Sequence, residues 1–245
     1  MTGTVRIGCS GWIYRHWRDV FYPAKLAQRL WFAHYAATFD TVELNTSFYH
    51  LPKADTFAKW RDQAPSGFRY AVKAPRFITH MKKLKDCAEP VGEFLRRARN
   101  LGPALGPILY QLPPRWALNR ERLEEFIALL PPDLDHVFEF REKSWLTEEV
   151  LALLDARGLS FCAHDMPELA TPRWAVGPIA YVRFHGGEGK YWGRYRDETL
   201  LDWTDWIVGQ ARRGRDVWCY FNNDIGGHAV EDALTLRSMV AQALR

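Results

Sequence analysis

With 245 residues, 47% of them hydrophobic and 25% charged, the chain has the makeup of an ordinary globular protein and enough apolar material for a sizeable core. Its formal net charge of +4 comes from basic and acidic residues interspersed with one another, which excludes a polybasic tail and suits anionic small molecules as well as nucleic acid. No window is apolar for long enough to span a bilayer, Met1 to Arg6 lacks the apolar stretch of a signal peptide, and Cys9, Cys87, Cys162 and Cys219 form no C-x-x-C pair, so a reduced, cytoplasmic, soluble protein is expected.

In chain order, an apolar strand-like run at Val5 to Gly11 is followed by helical spacing over Leu26 to Phe39, and a run at Thr41 to Thr46 by helical spacing over Thr56 to Ala64. The pattern repeats with Arg69 to Ala74 before Val91 to Leu101, Pro107 to Leu112 before Arg120 to Leu130, and His136 to Arg141 before Thr147 to Arg157. Thr147 suits an N-cap and Gly158 a helix stop. Ser160 to His164 leads into a Pro-containing connection, Asp165 to Pro178, with no helical spacing. Ile179 to His185 with Leu200 to Arg212, and Asp216 to Asn222 with Ala229 to Leu244, complete the series. Eight strands alternating with helices favour a parallel sheet with right-handed crossovers, and the length matches a single-domain (β/α)8 TIM-type barrel of roughly 250 residues. An open doubly wound sheet is the alternative.

Parallel strands covered on both faces should read as nearly uninterrupted apolar runs, yet six of these end in polar groups: Glu43 and Asn45, Lys73, Gln111, Glu139 and Arg141, Arg183 and His185, and Asn222 to Asp224. Alternation along a strand puts Val42, Leu44, Phe138, Phe140, Val182 and Phe184 against helices, and the polar residues between them on the opposite face. In barrels of this type the C-terminal strand ends carry the active site, so a shared polar pocket is expected there.

Two carboxylates, Glu43 and Glu139, among cations can be tuned apart into a base and an acid. The structural alternative pairs Glu139 with Arg141 or Arg183, and Glu43 with Lys73. Lys73, Arg141 and Arg183 call for anions, either the glutamates or a phosphate or carboxylate ligand. Lys73 and His185 complete the catalytic set, Lys73 also being a Schiff-base candidate, and Asn45, Tyr49, Gln111, Asn222 and Asn223 join the arginines as substrate-binding residues. The Gly-rich stretch from His185 to Gly193, with Lys190, Arg194 and Arg196, and the loop from Asn222 to His228 ahead of the last helix suit a phosphate or a lid. Glu43, Glu139, His164, Asp165, His185 and Asp224 are the ligand types of a Mn, Mg or Zn site, but the interleaved cations oppose one and no metal or other cofactor is predicted. No G-x-S-x-G, G-x-G-x-x-G or Walker lysine motif is present. Trp12, Tyr14, Trp17, Phe21 and Tyr22 crowd the segment after the first strand, where rings stack on bases or, more often, pack a long loop.

These residues resemble the YecE-like family, the domain of unknown function 72. The resemblance is carried by Gly8-Cys9-Ser10-Gly11-Trp12 with Trp17 and Phe21-Tyr22-Pro23, Val42-Glu43-Leu44-Asn45 with Ser47-Phe48-Tyr49, Val72-Lys73-Ala74 and Leu109-Tyr110-Gln111-Leu112-Pro113-Pro114. It continues through Glu139-Phe140-Arg141 with Ser144-Trp145, Arg183-Phe184-His185-Gly186 and Tyr220-Phe221-Asn222-Asn223. It implies a (β/α)8 barrel and brings no established reaction, cofactor or catalytic residue.

The expected function is acid/base catalysis on a small anionic, phosphorylated or carboxylated, polyol-like molecule. A nucleic-acid-binding or nucleic-acid-processing protein is second, and a metal-dependent hydrolase or isomerase third. No membrane partner is expected, and the oligomeric state is left open.

Overall fold

The computed structural model describes residues 1–245. Eight strands, β1 (Val5–Cys9), β2 (Thr41–Leu44), β3 (Arg69–Lys73), β4 (Leu105–Gln111), β5 (His136–Glu139), β6 (Ser160–His164), β7 (Ile179–Phe184) and β8 (Asp216–Phe221), follow the order β1-β8-β7-β6-β5-β4-β3-β2. The ladders β1–β8, β7–β8, β3–β4, β4–β5 and β5–β6 are parallel. Between and after the strands run α1 (Trp31–Thr38), α2 (Thr46–Tyr49), α3 (Ala54–Gln63), α4 (Ala88–Ala98), α5 (Arg120–Ile127), α6 (Glu148–Ala156), α7 (Asp197–Arg212) and α8 (His228–Ala243). The fold class is the (β/α)8 TIM-type barrel that the alternation predicts. No helix is long and apolar enough to cross a membrane.

The helix caps agree with the residue types that form them. Thr147 accepts the amide of Val150 at the start of α6, Asn119 accepts that of Arg122 at the start of α5, and Gly158 follows α6 at positive φ. The stretch expected to be helical from Leu26 starts instead with turns, closed by Leu26 N to Pro23 O and Leu30 N to Ala27 O, and becomes α-helical at Trp31. The connection from Asp165 to Pro178 is free of helix, as its composition implies.

Contacts group the chain into two compact units, Met1–Glu43 with Ala163–Ala175 and Ile179–Arg245, and Leu44–Cys162 with Val176–Pro178. In the first, the aromatic segment after β1 is packed: Trp17 is buried, and Tyr22 stacks on Trp31 at 4.6 Å. Phe184 stacks on Phe221 and meets Trp203 of α7 edge-on, so it faces the helix layer as alternation requires. In the second, Tyr110 and Phe138 stack on each other and both meet Phe126 of α5, while Phe140 stacks on Trp145. All four cysteines are free and buried, and burial pushes the Cys9 and Cys219 thiols well up, so they behave as small apolar groups.

One glycine in β1 is a spacer. A Cβ on Gly8 would lie 2.4 Å from the carbonyl oxygen of Thr41 and 2.9 Å from the Tyr35 hydroxyl, which itself donates to that carbonyl. Backbone cannot yield there as a flexible side chain would, so Gly8→Ala is expected to cost about 2–3 kcal/mol in urea denaturation.

Candidate functional site

Each unit holds its own polar constellation. In the first, Glu43 is fully buried and receives three donors: the Ser10 hydroxyl at 2.7 Å, the Tyr181 hydroxyl at 2.8 Å and the Arg183 guanidinium at 2.8 Å. Arg183 is 1% exposed, so the ion pair is shielded from water. The partner of Glu43 is thus Arg183, a correction to the pairing with Lys73 that strand ends alone suggest. Ser10 and Tyr181 were not singled out by sequence, although Tyr181 lies two residues before Arg183 and alternation puts both on one face.

Just past the end of β7, His185 is buried; its backbone amide donates to Asp165, its ring lies edge-on to His164 at 5.9 Å, and Asn222 reaches its Nδ1 at 3.4 Å. Asp165 also accepts the Tyr195 hydroxyl. Asn223 is engaged within the fold: its amide nitrogen donates to Gly193 O at 2.9 Å and to Asp232 at 2.8 Å, tying the loop after β7 to α8. Asp232 also accepts the backbone amide of Tyr195, and its burial pushes the carboxyl up from the ordinary range.

Two of the three loop cations expected to meet a phosphate, Lys190 and Arg194, have acidic neighbours. Lys190 pairs with Glu168 at 3.3 Å, and Arg194 with Asp232 at 3.4 Å and Glu231 at 3.5 Å. The α8 terminus is likewise used internally, Ala229 N donating to Asn223 O. Asp224 accepts the His16 ring and the Trp17 indole through its carbonyl.

In the second unit Gln111 and Glu139 are register partners on β4 and β5, and the Gln111 amide reaches both carboxylate oxygens at 3.0 Å. Arg141 closes on the same carboxylate, one of the two partners, Arg141 or Arg183, that the sequence offers for Glu139. On β3, the ammonium of Lys73 sits 4.0 Å from the centre of the Phe48 ring, and its backbone carbonyl accepts the Ser47 hydroxyl. Asn45 precedes α2, its carbonyl accepting Phe48 N, and Tyr49 at the end of α2 is exposed.

A residue that sequence reading passed over joins this group. His80 lies in a π-helical turn, Phe77–Met81, that has no periodic signature; its ring meets Phe48 edge-on at 4.9 Å and contacts the Thr79 hydroxyl at 2.9 Å. Burial first, then the positive charges of Lys73 and Arg76, lower its pKa to about 4, with Glu139 opposing and Arg141 adding to the effect. His80 is therefore a neutral imidazole at physiological pH, with a ring nitrogen able to take a proton. The charges that act on its proton are those of Lys73, Arg76 and Arg141, which oppose protonation, and of Glu139, which favours it.

A family model described as "Protein of unknown function DUF72" matches residues 6–245. The UPF0759 protein YunF of Bacillus subtilis is 27% identical over 261 aligned positions, covering 93% of this chain and 92% of that protein. The UPF0759 protein YecE of Escherichia coli K12 is 34% identical over 115 residues, covering 46% of this chain and 42% of YecE. A crystal structure of a DUF72 family protein from Thermotoga maritima superposes with a TM-score of 0.88 at 30% identity, covering 97% of this chain and 99% of that one. One from Enterococcus faecalis, at 20% identity and TM-score 0.84 over 97% and 96% of the two chains, shares the fold. The barrel topology, the strand-end motifs and the match over nearly the whole chain agree, and the chain belongs to the DUF72 family.

Proposed function

We propose that the protein is an enzyme that binds a small phosphorylated or carboxylated substrate at the Lys73 cluster and moves a proton on it. The observation that carries this reading is the gathering of acid/base and cationic side chains in the second unit: the Lys73 ammonium lies over the Phe48 ring that also meets the neutral His80 imidazole, and Arg141 and Gln111 meet on Glu139 at the ends of neighbouring strands. A buried lysine and an arginine already oriented by its neighbours suit a phosphate or carboxylate, whose charge-assisted hydrogen bonds are stronger than neutral ones. Lys73 and Arg141 neutralise the anion, neutral His80 accepts or returns the proton, and Gln111 and Glu139 fix the Arg141 guanidinium. Glu43, with all three donors already in place, serves as the anchor that orients Arg183 and Tyr181.

The nucleic-acid reading relied on Trp12 and Trp17 as stacking surfaces; both are buried, Trp17 donating to Asp224 O, so it loses its platform. Calorimetric titration with inorganic phosphate tests the proposal. Wild-type protein is expected to bind, and Lys73→Met to weaken binding by about tenfold or more, the loss of one charge-assisted contact. Absence of binding to wild type, or equal binding to the variant, removes the reading.

A further inference from the structure

The second unit carries an open groove of about 750 Å³ walled by Phe48 and Tyr49 of α2, Phe77 and Met81 of the π-turn, Arg76 and, from the first turn of α4, Glu89. Tyr49, Phe77 and Met81 are respectively 64%, 47% and 65% exposed, an unusual concentration of large apolar side chains in one concave patch. The backbone there is constrained: the π-turn closes with Lys82 N on Phe77 O, and Lys83, Leu84 and Asp86 follow in the left-handed region although none is glycine. Such conformations persist where the surroundings impose them, and they gather at ligand clamps. Charge is distributed unevenly. Phe48 is shared with Lys73 and His80, so that cation adjoins the groove at the ring, and Arg76 lines the groove itself; Glu89 and Glu93 sit on the wall from α4, Glu93 being paired with Arg96 and Arg97.

We infer that this groove holds the body of the substrate: a small molecule with a flat aromatic or conjugated body and one anionic head. The inference rests on the anion-binding reading above and adds the chemical class of the rest of the molecule. Phe77, Tyr49 and Met81 offer faces and a polarisable thioether to a flat apolar group. Arg76 and Lys73, which lies against Phe48, take the head, and Glu89 disfavours a second negative charge on the body.

Calorimetry with three probes, phenyl phosphate, inorganic phosphate and phenol, on wild type and Phe77→Ser separates the groove from the anion site. The Phe77 side chain is half exposed, so the change removes an apolar face without adding charge or emptying the core. Phenyl phosphate is expected to bind wild type about tenfold tighter than inorganic phosphate does, and Phe77→Ser to erase that advantage while leaving inorganic phosphate unchanged. Equal affinity for phenyl phosphate and inorganic phosphate, or indifference to Phe77→Ser, overturns the groove assignment while the anion site stands. Phenol binding as tightly as phenyl phosphate overturns the assignment of the head. Failure of inorganic phosphate with retained, Phe77-dependent binding of phenyl phosphate sinks the isolated anion site and supports the groove.

Discussion

Arg183→Met is expected to lower stability by about 3–5 kcal/mol, seen as a fall in the urea midpoint at neutral pH, because it strands a buried carboxylate. Glu43 is fully buried and Arg183 is 1% exposed, so water cannot replace the missing guanidinium as it would at a surface pair. Tyr181 and Ser10 still donate to the carboxylate after the change, but hydroxyls do not cancel its charge. Removing the charge as well reverses most of the loss: in Glu43→Gln with Arg183→Met, the amide oxygen keeps an acceptor for those hydroxyls. The double variant should therefore be markedly more stable than the sum of the single changes predicts, the mark of directly coupled neighbours. A loss below about 1 kcal/mol for Arg183→Met, or strict additivity in the double variant, would mean that the pair is not shielded as described.

The pair also shows what sequence could and could not disclose. Apolar runs that end in polar residues located Glu43, Gln111, Glu139, Arg141 and Arg183, since burying such groups without partners is costly whatever the fold details. Alternation then separated Phe184 and Phe138, which meet helices, from Arg183 and Glu139, which meet charges. Pairing is a different matter. Both Lys73 and Arg183 stand at strand ends, and only the three-dimensional placement of Tyr181 and Arg183 beside Ser10 selects the partner of Glu43. The loop residues were less legible for the same reason: Lys190, Arg194 and Asn223 have the chemistry of ligand-binding groups, yet each finds a partner far away in sequence, Glu168, Asp232 or Gly193. His80 escaped notice because a π-turn has neither the period of a strand nor that of an α-helix.

His80 supplies the second large expected effect, a proton that leaves the imidazole near pH 4 instead of at the ordinary 6.5. Two-dimensional NMR of the histidine rings, with the His80 resonance identified by its absence in His80→Gln, measures this directly. Desolvation is the largest cause, so Lys73→Met should raise the pKa only part of the way, and a bound phosphate should raise it by about one unit, because a nearby negative charge favours the protonated ring. The same linkage acts on folding. The folded-state pKa lies below the unfolded one, so the unfolded chain binds the extra proton between pH 6.5 and 4; the contribution of His80 to stability is complete above that window and is lost as pH falls through it. His80→Gln should flatten that part of the stability profile. Phosphate adds a sign that burial alone cannot produce: an anion at the Lys73 cluster raises the folded-state pKa toward the unfolded value, which narrows that window from its acid side and reduces the stability lost within it, because the folded state binds the anion more tightly once the ring is protonated. A histidine titrating near 6.5 and indifferent to phosphate would mean that the cations around it do not act on its proton, and with them would go the proton-transfer role assigned to His80.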